Sequence, residues 1–142
     1  MSQENADIAR RGIEQFNRQF TSTQELDLSF LASDVELDNS NAALDAAVYR
    51  GHDGIRRFMS LMRGMWTVQT AEAEEFIAVG RDRVIVSYRM ASVGRDNIEV
   101  AFRAATVVTV GGGKITHMKA FQSKADALEA VGLSEQDAHA DS

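Results

Sequence analysis

The 142-residue chain contains no cysteine and no proline. Without cysteine there can be no disulfide, no thiolate metal site and no cysteine nucleophile, which is compatible with a reducing cytoplasm. Average usage of roughly 5% would place several prolines in such a chain, and their absence removes one common source of slow folding phases. No apolar run nears the ~20 residues of a membrane-spanning helix. The first residues, "MSQENADIARR", lack the apolar stretch of a signal peptide, so the expected location is cytoplasmic, with no membrane partner. Positive charge is also short, with 15 Lys and Arg against 21 Asp and Glu and a net charge of -6. The bases do not gather into a stripe: Arg10/Arg11 and Arg56/Arg57 are isolated pairs, so no nucleic-acid partner is expected. His52, His117 and His139 are too scattered for a metal set. The glycines Gly111–Gly113 precede no helix and so form no phosphate loop. No metal, nucleotide or flavin is called for, and the expected cofactor list is empty.

Composition is that of an ordinary globular protein, 44% hydrophobic and 25% charged. The length suits one domain with one real core. Residues 1–133 are expected to form that domain, and 134–142 an acidic, disordered tail. Ile8, Ile13, Phe16 and Phe20, with Ala9 and Gly12 alongside, recur at helical spacing, leaving Arg10, Arg11, Glu14 and Arg18 outward. "STQE" places Ser22 and Glu25 at capping-box spacing, which predicts a short second helix carrying Leu26, Phe30 and Leu31. Val35 to Asp38 reads as a short strand, followed by a polar loop to about Arg50. A third helix is predicted from "GHDG", capped by Asp53 or His52, with Ile55, Phe58, Met59, Met62, Met65 and Trp66 as its buried stripe.

From there the period changes from 3.6 to 2. Four extended runs, near Thr67–Val79, Arg83–Val93, Asn97–Val110 and Lys114–Gln122, are separated by "GRD", "GRDN" and "GGG", turns suited to hairpins. "ADALEAVGL" closes the chain as a short helix or turn. Helices followed by antiparallel strands predict an α+β domain with helices packed on one face of a curved sheet.

The stretches "EQFNRQ", "LASDVELD", "VYRGHDGIRRFM" and "GGGKITHMKAFQSKADALEAVGL" occur in an order and spacing that resembles the NTF2-like superfamily, within it the SnoaL-like group. The resemblance covers nearly the whole chain. It implies a cone-shaped barrel with three N-terminal helices on a curved antiparallel sheet, a mostly apolar pocket between them, and frequent homodimerisation. Fold alone does not assign function; individual positions carry that information. Ketosteroid isomerases of this fold keep a general-base aspartate after the first strand, and Asp38 in "VELD" falls there. Their two oxyanion donors correspond to Gly12 and Ala105 here, and losing one such donor costs about 10²–10³ in rate. Limonene-epoxide hydrolases use an Asp–Arg–Asp set; Arg89 can be laid on the arginine, but the acids become Ala91 and Ala120. Polyketide cyclases of the group place an acid on the last strand, where "KITHMKAFQS" has none and Asp126 lies beyond.

Each candidate also has a plain structural reading. Asp38 is either a pocket base with a raised pKa or a strand-end residue bonding backbone N–H groups in "DNSN". Asp45, in "NAALDAA", has neither partner nor metal spacing. Alternation places Val84, Val86, Tyr88 and Met90 on one strand face and Arg89 on the other, unless a bulge resets the parity. Inward, Arg89 would bind a carboxylate or hold Asp38. His117 could face either way. The sequence thus leads first to a pocket for a small, mostly apolar metabolite, with Tyr49, Met62, Trp66, Phe102 and Phe121 as walls. Asp38, with Arg89 or His117 if inward, would make the polar contacts. A cofactor-independent isomerase, cyclase or dehydratase using Asp38 as general base is the second reading; its oxyanion donor would be Tyr49, Tyr88 or Trp66. A dimerisation module with a filled cavity is the third.

Overall fold

The computed structural model describes residues 2–20, 26–41 and 47–134. Helix α1 spans Ser2–Phe20, followed by strands β1 (Leu31–Asn41) and β2 (Val48–Arg50) and helix α2 (Gly51–Met65). Strands β3 (Trp66–Val79), β4 (Arg83–Gly94), β5 (Glu99–Gly111) and β6 (Lys114–Phe121) come next, and α3 (Lys124–Ala130) closes the order. The strands form one sheet in the order β2-β1-β6-β5-β4-β3. Its outer strands, β2 and β3, do not pair with each other, so this is a curved open sheet and not a closed barrel.

The four long runs read from the period of 2 are strands β3 to β6, within a residue or two of the expected ends. The β5–β6 turn shows why glycine sits there: Gly112 and Gly113 have φ of 60° and 78°, a left-handed pair that side chains disfavour. Three expectations need correction. Of the helices, one is N-terminal, one mid-chain and one C-terminal. The segment with Leu26, Phe30 and Leu31 is irregular, because the Asp27 carboxylate accepts both the N–H and the hydroxyl of Ser29, at 3.0 and 2.6 Å. That local bond competes with helix formation, and Leu31 then opens β1. The sheet is also mixed: β1 runs parallel to β6, and β2, inside the expected polar loop, pairs antiparallel with β1. The Ser22–Glu25 box and Asp45 lie outside the described residues, as does the tail from 135.

Helices α1 and α2 pack on one face of the sheet, where Val35, Leu37, Val84, Val86, Val108 and Ile115 join them in the larger core. On the opposite face α3 covers Ile77, Ile85, Ala105, Val107 and Phe121 with Ala127 and Leu128. The outer face of β5 at Ala105 and Val107 is thus covered by the chain's own last helix. Ser123 starts α3, its hydroxyl accepting the Asp126 N–H at 3.1 Å. Helix α2 has no such side-chain cap. His52 instead lies 3.0 Å from the Leu31 carbonyl, and Asp53 pairs with Arg56 at 2.8 Å.

Two contacts fix α1. Asn17 accepts the Ala71 N–H and donates to the Ala71 carbonyl, both at 2.8 Å. Ala71 lies on edge strand β3, so one amide side chain supplies the pairing that a further strand would have made. Arg63 of α2 donates to the carbonyls of Gln19 and Phe20, holding the C-terminal end of α1.

Candidate functional site

Between α1, α2 and the inner sheet face lies a cavity of about 430 Å³, within the range of small-molecule sites. Small residues, Ala9 and Gly12 on α1 and Ala71, Ala104 and Ala120 on the sheet, are among those that line it. A Cβ on Gly12 would come within 3.1 Å of Ile115 Cδ1. The remaining walls are large and apolar. The whole α2 stripe read from sequence, Ile55, Phe58, Met59, Met62, Met65 and Trp66, lines the cavity, with Phe16 from α1 and Met90 from β4. Phe102 stands at the mouth, 37% exposed.

Few polar groups enter. The Tyr88 hydroxyl on β4 lies 3.2 Å from the Thr106 hydroxyl on β5. Burial pushes the Tyr88 phenol above its ordinary pKa, partly offset by the Thr106 bond. The Gln69 amide donates to Ser92 Oγ at 3.1 Å, and the Gln19 amide donates to Gln15 and to the Asp27 carbonyl, both at 3.0 Å. Arg103 borders the cavity, yet its guanidinium is held by Glu74 at 2.9 and 3.3 Å. No Asp, Glu or His is among the described lining residues.

Met62, Trp66, Phe102 and Phe121 of the sequence-derived candidates line the cavity. Phe121 touches it only where β6 ends, and otherwise packs in the cluster under α3. Tyr49 is buried one layer behind the wall, its ring 5.4 Å from that of Phe58. Asp38 is not in the cavity. Leu37 and Asn39 on either side of it line the wall, so strand alternation turns Asp38 to the other face. There it accepts the Ser40 N–H at 2.9 Å and lies 4.0 Å from Lys119. The bonds from the Ser40 hydroxyl and N–H lower its pKa, opposite to the shift expected of a pocket base.

Arg89 also points away from the cavity, since Tyr88 and Met90 point in; its register partners are Glu72 and Arg103. His117 is exposed on the same outer face, with Nδ1 3.2 Å from Thr116 Oγ1. Ala105, laid on an oxyanion donor by resemblance, belongs to the outer cluster; the cavity positions of β5 are Ala104 and Thr106. Thr106 was missed by the sequence reading, although it shares parity with Phe102 and Val108.

An α+β fold of this order, with two helices over an apolar cavity on one face of an open sheet, defines an NTF2-like protein. A family model for the SnoaL-like domain matches residues 9–118, and the chain belongs to that family. No curated protein matches the chain significantly. Among solved structures, TerC co-crystallized with polyporic acid superposes with a TM-score of 0.70 at 21% identity, covering 90% of this chain and 98% of TerC. An NTF2-like protein of unknown function from Burkholderia pseudomallei K96243 gives 0.69 at 18%, covering 91% and 98%. A putative polyketide cyclase from Xanthomonas campestris pv. campestris gives 0.65 at 17%, covering 92% and 98%. Likenesses at these identities establish the fold alone. Among the described residues, no helix is long and apolar enough to cross a membrane.

Proposed function

We propose that the protein binds a small, mostly apolar metabolite in the cavity between its helices and sheet. The observation that carries this reading is the combination of about 430 Å³ of space between helices and sheet with walls built mainly of Met, Phe, Trp and aliphatic side chains. Such a space is costly to leave empty, since each wall atom facing a void forgoes its dispersion partners. A core filled for dimerisation alone would have closed it. TerC, similar in fold, crystallised with polyporic acid, which is in keeping with a pocket that admits an organic ligand. Proton abstraction with Asp38 as base is the less favoured reading, because a base must come within hydrogen-bond reach of the proton it takes. Asp38 faces away from the cavity and holds Ser40.

The test is a thermal-shift screen of uncharged steroids, phenols, terpenoids and fused-ring ketones against wild type and Ala104→Phe. Ala104 is 7% exposed on the inner face of β5, so the larger side chain projects into the cavity. A ligand at a hundred times its Kd stabilises by about 2.7 kcal/mol, a rise of roughly 5–11 °C for a domain of this size. Shifts in wild type that Ala104→Phe abolishes are the expected result. A screen with no shift in either protein contradicts the reading.

A further inference from the structure

We infer that the ligand is uncharged and carries a hydrogen-bond acceptor, such as a carbonyl oxygen, which the Tyr88 hydroxyl reads while Thr106 orients that hydroxyl. The inference rests on the cavity reading and narrows it to a chemical class.

Charge is excluded first. Among the described residues the lining offers no carboxylate or imidazole, and its one guanidinium, on Arg103, is engaged by Glu74. An ionised ligand group buried here would lose its hydration with no opposite charge to replace it. A pure hydrocarbon would suit the walls but would leave the hydroxyl pair unused.

The pair has a proton to spare. Two hydroxyls in contact carry two O–H donors, and their mutual bond uses one of them. With Thr106 donating to the phenol oxygen, the Tyr88 O–H is left to point at a ligand atom. Accepting a bond polarises the phenol and strengthens it as a donor. Of the other amides on the wall, Gln15 accepts from Gln19, Gln122 is exposed past the end of β6, and three more are engaged or distant. Gln69 serves Ser92, Gln19 serves Gln15 and Asp27, and Asn39 stands on β1, three strands from β4. Burial keeps the phenol protonated at neutral pH, so it acts as a donor there. A donor surrounded by apolar wall prefers a ligand with an acceptor at that point over the same skeleton without one.

Fluorene, 9-fluorenone and fluorene-2-carboxylate share a ring skeleton and differ in acceptor and charge. Each is titrated against wild type, Tyr88→Phe and Thr106→Val, with Thr106→Ser as the variant that keeps a hydroxyl. Wild type should bind fluorenone about five- to tenfold tighter than fluorene, the fold-change expected of one net hydrogen bond, and bind the carboxylate most weakly. Tyr88→Phe should bring the fluorenone-to-fluorene ratio to about one without weakening fluorene. Thr106→Val should lower the ratio partway and Thr106→Ser restore it. Equal binding of fluorene and fluorenone by wild type, or a preference that survives Tyr88→Phe, overturns the inference and leaves the cavity reading standing. Tightest binding of the carboxylate overturns it as well. Failure of all three to bind folded wild type overturns both.

Discussion

The carboxylate of Asp38 accepts the Ser40 N–H at 2.9 Å and lies 4.0 Å from the Lys119 ammonium, on the sheet face away from the cavity. Its pKa in the folded state is lowered from 3.8, first by the Ser40 bonds, with smaller help from Lys119 and Arg50. A depressed carboxylate stabilises the fold above its unfolded pKa and loses that contribution as pH falls through the folded value. Wild type should therefore exceed Asp38→Asn in stability by at most about 1 kcal/mol near neutrality. Urea midpoints measured from pH 7 downward should show the gap closing below about pH 4. The same variant should bind uncharged apolar ligands as wild type does, whereas a pocket base would alter that binding. The sequence held both readings of Asp38 open, and residue type could not choose between them. What chose was parity, one step along a strand, which depends on which neighbours the fold turns inward. For Arg89 the alternation was already visible in Val84, Val86, Tyr88 and Met90, and the outward placement followed from it.

At the scale of elements, long periodic segments were readable and short or non-local ones were not. Helix α1, helix α2 and strands β3 to β6 each repeat their pattern for several turns or pairs. Strand β2 has three residues, too few to show a period, and it exists because β1 offers a partner. The parallel contact of β1 with β6 joins opposite ends of the chain, which no local pattern encodes. The supposed second helix shows the converse: the capping-box spacing of Ser22 and Glu25 suggested it, and the segment that follows is irregular, with the Asp27–Ser29 bonds in its place.

Two element-level predictions follow from contacts invisible in the sequence. Asn17→Ala strips edge strand β3 of both Ala71 bonds, and should cost about 1–3 kcal/mol in urea unfolding. Ser123→Ala removes the side-chain cap of α3 and should cost about 1 kcal/mol. Loosening α3 should also raise amide exchange in β4 and β5 beneath it, with exchange in α1 unchanged.

For the whole molecule, the question is why space remains between two layers that pack well elsewhere. Helices α1 and α2 are held at the rim, by Asn17 on β3 and by Arg63 on the end of α1. Ala9, Ala71 and Ala104, with their short side chains, line the space between the layers. The sequence displayed each of these small residues, but not that they would line one cavity. Their gathering there depends on how the layers pack, a property of the assembled fold. The α2 stripe shows why core and pocket were hard to separate from sequence: Met59 and Met62 are both buried core and cavity wall.

Trp66 is the chain's one tryptophan and lines the cavity, so its fluorescence reports on occupancy without a label. The decisive measurement titrates that signal with 9-fluorenone in wild type and in Ala104→Phe, both shown folded by circular dichroism. The account predicts saturable one-to-one binding to wild type and at least about a tenfold loss in the variant, the equivalent of about 1.4 kcal/mol. Equal affinity in the two proteins would place any ligand outside the cavity and contradict the account.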